Sequence, residues 1–91
     1  MDWVVYCLYS ESYDEIYLGY SSSLIERFYS HNSLSTDSYT VRYRPWKVIY
    51  VEFCENQKQA MKREKEIKSG AGRRWIRNVQ LPLMREIGFI H

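Results

Sequence analysis

Valine and aromatic residues run without a breaker from Trp3 to Tyr9, the mark of a strand. Ser10 to Asp14 supplies turn residues, and Glu15 to Tyr20 resumes the strand pattern, so the chain is expected to open with a β-hairpin. A loop at Ser10 to Tyr13 would set Tyr6 directly opposite Tyr17 on one face. Ser23 and Glu26 have capping-box spacing, which predicts a helix from Leu24 to about His31 with Leu24, Ile25 and Phe28 buried. Arg27 and His31 are one helical turn apart and share a neighbouring face. Residues 32–43 are polar and unpatterned, a long loop of the kind that often carries function. Lys47 to Cys54 is nearly continuously apolar, which predicts a third strand in a central position, covered on both faces. Asn56 can cap a helix from Gln57 to about Ser69, with Gly70 as its stop. Ala71 to Asn78 can form a short helix carrying Trp75 and Ile76. After Pro82, the apolar Leu83, Met84, Ile87, Phe89 and Ile90 suit a docked extension or a partner-binding segment.

The order strand, strand, helix, strand, helix, helix implies a small α/β (α+β) layer. Its sheet is expected to be three-stranded, mixed or antiparallel, and flanked by helices. The chain has 91 residues, enough for one domain with one small core. A hydrophobic fraction of 45% argues against disorder, and the high aromatic fraction, 16%, comes mostly from tyrosines. Cys7 and Cys54 lack metal-ligand spacing and read as small core residues. No signal peptide or membrane-spanning run is visible, so the expected location is cytoplasmic.

A formal charge of +2 does not announce a nucleic-acid binder, but the distribution is uneven. Lys58, Lys62, Arg63, Lys65, Lys68, Arg73, Arg74 and Arg77 crowd into one stretch. Such a face suits phosphate binding or is simply solvated. Glu64 interrupts the helical stripe Ala60, Met61, Glu64, Ile67. A buried, charged carboxylate needs a partner, either a metal ion or an arginine from elsewhere in the fold.

Taken in order, several segments resemble the GIY-YIG nuclease family, in particular its small stand-alone members. Val4-Val5-Tyr6 stands at the first signature and Ile16-Tyr17-Leu18-Gly19-Tyr20 at the second. Leu24-Ile25-Glu26-Arg27-Phe28 with His31-Asn32 resembles the first helix. Arg44-Pro45-Trp46-Lys47-Val48-Ile49-Tyr50 is similar to the third strand. Residues 60–68 resemble the acidic helix, and 69–76 the end of the compact subgroup. The first signature lacks its glycine, and Leu18 replaces an isoleucine in the second; both tyrosines are kept. The resemblance implies a nuclease domain over 1–78, with 79–91 as an extension packed on it or used for partner contact.

It further implies hydrolysis of nucleic-acid phosphodiesters with one divalent cation, Mg²⁺ or Mn²⁺. The catalytic set carried over is Tyr6, Tyr17, Arg27, His31 and Glu64. Glu64 would hold the cation, since hard ions take oxygen ligands and Mg²⁺ retains several waters. Arg27 would contact the scissile phosphate through its forked guanidinium. Tyr6 would serve as general base, with Tyr17 and His31 orienting water and substrate. Asn32, Arg44, Lys62, Arg63, Lys68, Arg73 and Arg74 are candidate nucleic-acid contacts, which add affinity without sequence choice. No separate reader domain is visible, so specificity would come from nucleic-acid shape or from a protein partner. DNA is the expected substrate, in repair or recombination. The alternatives are a non-catalytic nucleic-acid-binding module and a protein-interaction domain on the same scaffold.

Overall fold

The structure is a computed structural model that describes residues 3–23 and 41–88. The expected helix with Leu24, Ile25, Phe28, Arg27, His31 and Asn32 lies outside the described residues. Three strands, β1 (Trp3–Ser10), β2 (Glu15–Ser21) and β3 (Lys47–Cys54), form an antiparallel sheet in the order β2-β1-β3. Three α-helices follow, α1 (Gln57–Lys68), α2 (Gly70–Trp75) and α3 (Leu81–Ile87), with a π-helical turn at Ile76–Gln80 between the last two. No helix among the described residues is long and apolar enough to cross a membrane.

The central strand is β1, not β3 as the apolar run suggested. Every residue from Val4 to Ser10 is buried, because β1 pairs on both edges and is covered on both faces. β3 is an edge strand whose outer end is open, with Phe53 63% exposed. Its apolar run reflects a shift in register opposite Cys7 and Leu8. Around that irregularity Val48 and Val51 join one core while Ile49 joins the other.

The two faces of β1 carry different cores. Val5, Cys7 and Tyr9 pack with Ile16, Leu18, Ile49 and the helices through Ala60, Ile67, Ile76, Leu81 and Met84. Val4, Tyr6 and Leu8 pack instead with Trp46 and Val48, and Tyr17, Tyr43 and Val51 lie against them. Val4, which stands where the family signature has its glycine, is thus a core residue. Cys7 and Cys54 are buried free thiols, and burial pushes Cys7 up to about 12. Both are packing residues rather than nucleophiles.

The hairpin register also differs from expectation. Ser10 pairs with Glu15, so the loop is shifted one residue onward. Tyr6 therefore faces Gly19, and Tyr17 faces Leu8, making the two tyrosines diagonal neighbours on one face. Asp14 makes the turn at positive φ, 55°, a conformation Asp tolerates better than most residues. Its carboxylate accepts from the Tyr9 hydroxyl at 2.8 Å and from Arg77 Nη1 at 3.0 Å. Arg77 Nη2 also donates to the Asp14 carbonyl at 2.9 Å. Arg85 Nη2 donates to the Tyr9 hydroxyl at 2.7 Å, and Gln80 Nε2 to the Ile49 carbonyl at 2.8 Å. These bonds, with buried Leu81 and Met84, seat residues 80–85 on the sheet.

Asn56 caps α1 as expected, accepting from the Gln59 amide at 2.9 Å. The helix stops at Ser69 rather than Gly70. Ser69 is extended (φ −61°, ψ 164°) and its hydroxyl both donates to the Glu66 carbonyl at 2.7 Å and accepts from the Gly72 amide at 3.2 Å. One residue thus ends α1 and caps α2. The corner is so tight that a Cβ at Gly72 would collide with the Ile67 backbone. Met61, expected in the buried stripe, is 41% exposed. Ala60 and Ile67 alone carry the helix onto the core.

Arg63 clamps α1 to β3. Its Nε donates to Glu52 at 2.8 Å and its Nη1 to Glu66 at 3.0 Å, while the Tyr50 hydroxyl donates to Glu52 at 2.6 Å. Burial alone would raise the Glu52 carboxyl; the Tyr50 and Arg63 bonds outweigh it and hold it below its ordinary value. A carboxyl depressed on folding contributes stability that is full above its unfolded pKa, about 4.3, and is lost as pH falls through the folded value. Urea unfolding across pH 3–6 should therefore show a loss of stability below about pH 4.3 that is smaller in Glu52→Gln. Gly72→Ala should lower stability at neutral pH by roughly 1–3 kcal/mol, since backbone must move to admit the methyl.

Candidate active site

The cleft of interest lies where the two faces of the sheet meet around the outer edge of β2. It encloses about 320 Å³ and is lined by Tyr6, Tyr17, Leu18, Gly19, Tyr20, Glu64 and Lys68. Tyr6 and Tyr17 come from the Trp46 side of the sheet, while Leu18 and Tyr20 come from the helix side. The neighbours Arg63 and Glu64, about 100° apart on the helix, straddle the packing line. Arg63 reaches inward to β3, and Glu64 reaches the β2 edge.

Tyr6 is fully buried, yet it lines this cleft, and its hydroxyl end packs against Gly19, which lies opposite it without a side chain. A Cβ on Gly19 would sit 2.6 Å from the Tyr6 hydroxyl oxygen and 2.7 Å from Cζ. The ring thus crosses the backbone of β2, through the space an alanine methyl would fill. Tyr17 is half-buried and leans on Trp46, with ring centroids 6.1 Å apart. Trp46 in turn meets Tyr43 edge-on at 6.5 Å, so the cleft tyrosines rest on an aromatic floor.

Glu64 is less buried than its place in the helical stripe suggested. Its side chain is 14% exposed, and its partner is neither of the two expected. Lys68, one turn along the same helix, places Nζ 2.8 Å from Oε1. No cluster of three His, Cys, Asp or Glu converges among the described residues. The residues lining the cleft carry one carboxylate, three phenols and the Lys68 ammonium, so the oxygen donors they offer are one carboxylate and phenols. That set fits a hydrated hard cation, for which one carboxylate is a sufficient anchor.

Four candidates therefore come together: Tyr6, Tyr17, Glu64 and Lys68. Arg73 lies beside them, lining an adjoining cleft with Ile16, Tyr17, Leu18 and Lys68. The other basic candidates point elsewhere. Lys62 lines an outer groove with Lys58, Met61 and Lys65. Arg63 is occupied by Glu52 and Glu66. Arg74 is exposed on α2, and Arg44 is half-buried just before Trp46. Arg27, His31 and Asn32 lie outside the described residues. The role of Gly19 escaped sequence reasoning, although the Tyr-Leu-Gly triplet was its visible signal. The Lys68 partnership was also missed, although acid and base at i,i+4 announced it.

A small antiparallel sheet that brings two tyrosines to one cleft, opposite a capped helix whose Glu64 lines the same cleft, defines a class. The GIY-YIG catalytic domain model matches residues 2–77, and the chain belongs to this family. Over 71 residues it is 34% identical to a UPF0213 protein of Staphylococcus aureus, spanning 78% of this chain and 80% of that relative. A UPF0213 protein of Staphylococcus saprophyticus is 35% identical over 54 residues, 59% of this chain and 66% of the relative. One of Clostridium perfringens is 36% identical over 55 residues, 60% of this chain and 59% of the relative. These last two matches span just under two thirds of the relatives' lengths or less. No solved structure matches the chain.

Gly19→Ala tests the Tyr6 geometry. The methyl should displace the buried ring and lower stability by roughly 1–3 kcal/mol in urea unfolding. A crystal structure of the variant should show the Tyr6 ring moved from its place against residue 19; an unmoved ring would contradict the close approach.

Proposed function

We propose that the protein is a metal-dependent endonuclease that hydrolyses nucleic-acid phosphodiesters. The observation that carries this reading is the convergence of Tyr6, Tyr17 and Glu64 on one cleft in a chain of the GIY-YIG family. Glu64 would hold one divalent cation, Mg²⁺ or Mn²⁺, which when bound supplies charge stabilisation at the phosphoryl and departing 3′ oxygens. Tyr6, acting as a phenolate, would take the proton of the attacking water and become a phenol, and Tyr17 would orient that water across the cleft. Arg27 and His31 complete the set in this reading, Arg27 on the scissile phosphate and His31 beside the water.

Lys68 and Arg73 border the cleft and suit flanking phosphates. Asn32, Arg44, Lys62 and Arg74 are the remaining candidate contacts, with Arg63 held back by its two carboxylates. We favour DNA as substrate and structure rather than sequence as the basis of choice, with a place in repair or recombination. A protein partner could supply further specificity. The buried free thiols suit a reducing compartment such as the cytoplasm.

Plasmid and branched-DNA cleavage with Mg²⁺ or Mn²⁺ is the test. Wild type should cut, Glu64→Gln should abolish cutting, and Tyr6→Phe should slow it about 10²-fold or more. Circular dichroism should show both variants folded. A folded wild type that binds DNA in a salt-dependent way, yet cuts neither DNA nor RNA with any divalent metal, would leave a non-catalytic binding module instead.

A further inference from the structure

The Glu64–Lys68 pair is unequal. Glu64 is 14% exposed and held at the cleft wall, whereas Lys68 is 44% exposed at the end of a flexible stem. Lys68 also stands at a junction. It lines the Tyr6–Tyr17–Glu64 cleft and also the adjoining one of about 300 Å³ that contains Arg73. Arg73 is tied there by its Nε, which donates to the Lys68 carbonyl at 3.0 Å. Its terminal amino groups are left for other acceptors. The two clefts share Tyr17, Leu18 and Lys68 and together follow the outer edge of β2.

A divalent cation on Glu64 and the Lys68 ammonium compete for one carboxylate, and as like charges they repel each other. A displaced ammonium has an adjacent place to go, beside Arg73. There two cations would face whatever anion enters the second cleft. Both groups suit a backbone phosphate, Arg73 as a fork and Lys68 as a point charge.

We propose that Lys68 is the built-in counter-ion of the cation site. It holds Glu64 when the cation is absent and yields the carboxylate when one binds. It then joins Arg73 in binding the phosphate next to the scissile one, along the β2 edge. Cation and nucleic acid thereby strengthen each other's binding through Lys68, by the reciprocity of linked equilibria. The proposal rests on the reading of Glu64 as the cation's ligand. An ordinary surface ion pair would leave the two affinities independent.

Calorimetric titration of the metal-free full chain with Mn²⁺ separates these cases. Lys68→Met should bind Mn²⁺ about three- to tenfold more tightly than wild type, since a competing charge is gone. Glu64→Gln should lose the site. Equal or weaker binding by Lys68→Met overturns the counter-ion role while leaving Glu64 as ligand. Equal binding by wild type and Glu64→Gln overturns the cation reading and this proposal with it. The phosphate role is read without metal, from fluorescence anisotropy of a single-stranded oligonucleotide. Glu64→Gln, which frees Lys68, should raise affinity more in the wild-type background than in the Lys68→Met background. Equal increments in both backgrounds overturn the phosphate role.

Discussion

The seating of α1 on the sheet is the constraint on which the site depends. Two buried residues, Ala60 and Ile67, seat the helix on β1 and β2, and neither is large enough to set its rotation alone. The Arg63–Glu52 bond, reinforced by Tyr50 and Glu66, supplies the rotational restraint on the β3 side. With that side fixed, the next residue, Glu64, must fall over the β2 edge. A slip of one residue would turn it by about 100° into solvent or into the core. The clamp is polar and half-exposed, so its worth lies in orientation more than in energy.

The opposite wall depends on a missing side chain. Tyr6 is anchored in a fully buried strand, and the end of its ring fills the space that a side chain at Gly19 would need. A fully buried tyrosine has few alternative rotamers, so its hydroxyl is held before any substrate arrives. In the proposed mechanism, that is the preorganisation a proton-accepting phenolate would benefit from. Gly72 works in the same way at the far end of α1, where the α1–α2 corner closes against backbone.

The basic stretch, continuous in sequence, is divided in space. Arg63 and Arg77 serve the fold, one on Glu52 and one on Asp14. Lys62 faces outward with Lys58 and Lys65. Lys68 and Arg73 alone of this run line the clefts along β2. A charge count therefore overstates the surface available for phosphate.

Much of the fold was legible from local chemistry. The Trp3–Tyr9 run, the turn residues after Ser10 and the Asn56 cap all act over a few residues, and each appears in the structure. The ordered signatures around Tyr6, Tyr17 and Glu64 were legible as a family pattern for the same reason. What sequence could not rank was pairing. An apolar run reads alike in a central strand and in an edge strand whose register shift sends neighbouring residues into both cores, so β3 read as central where β1 is. Hairpin register turned on a shift of one residue in the loop, which moved Tyr6 from Tyr17 to Gly19. The sequence by itself determined which residues could do chemistry. Only the tertiary structure decided which of them meet, because strand order, register and helix rotation are set by contacts between residues far apart in the chain.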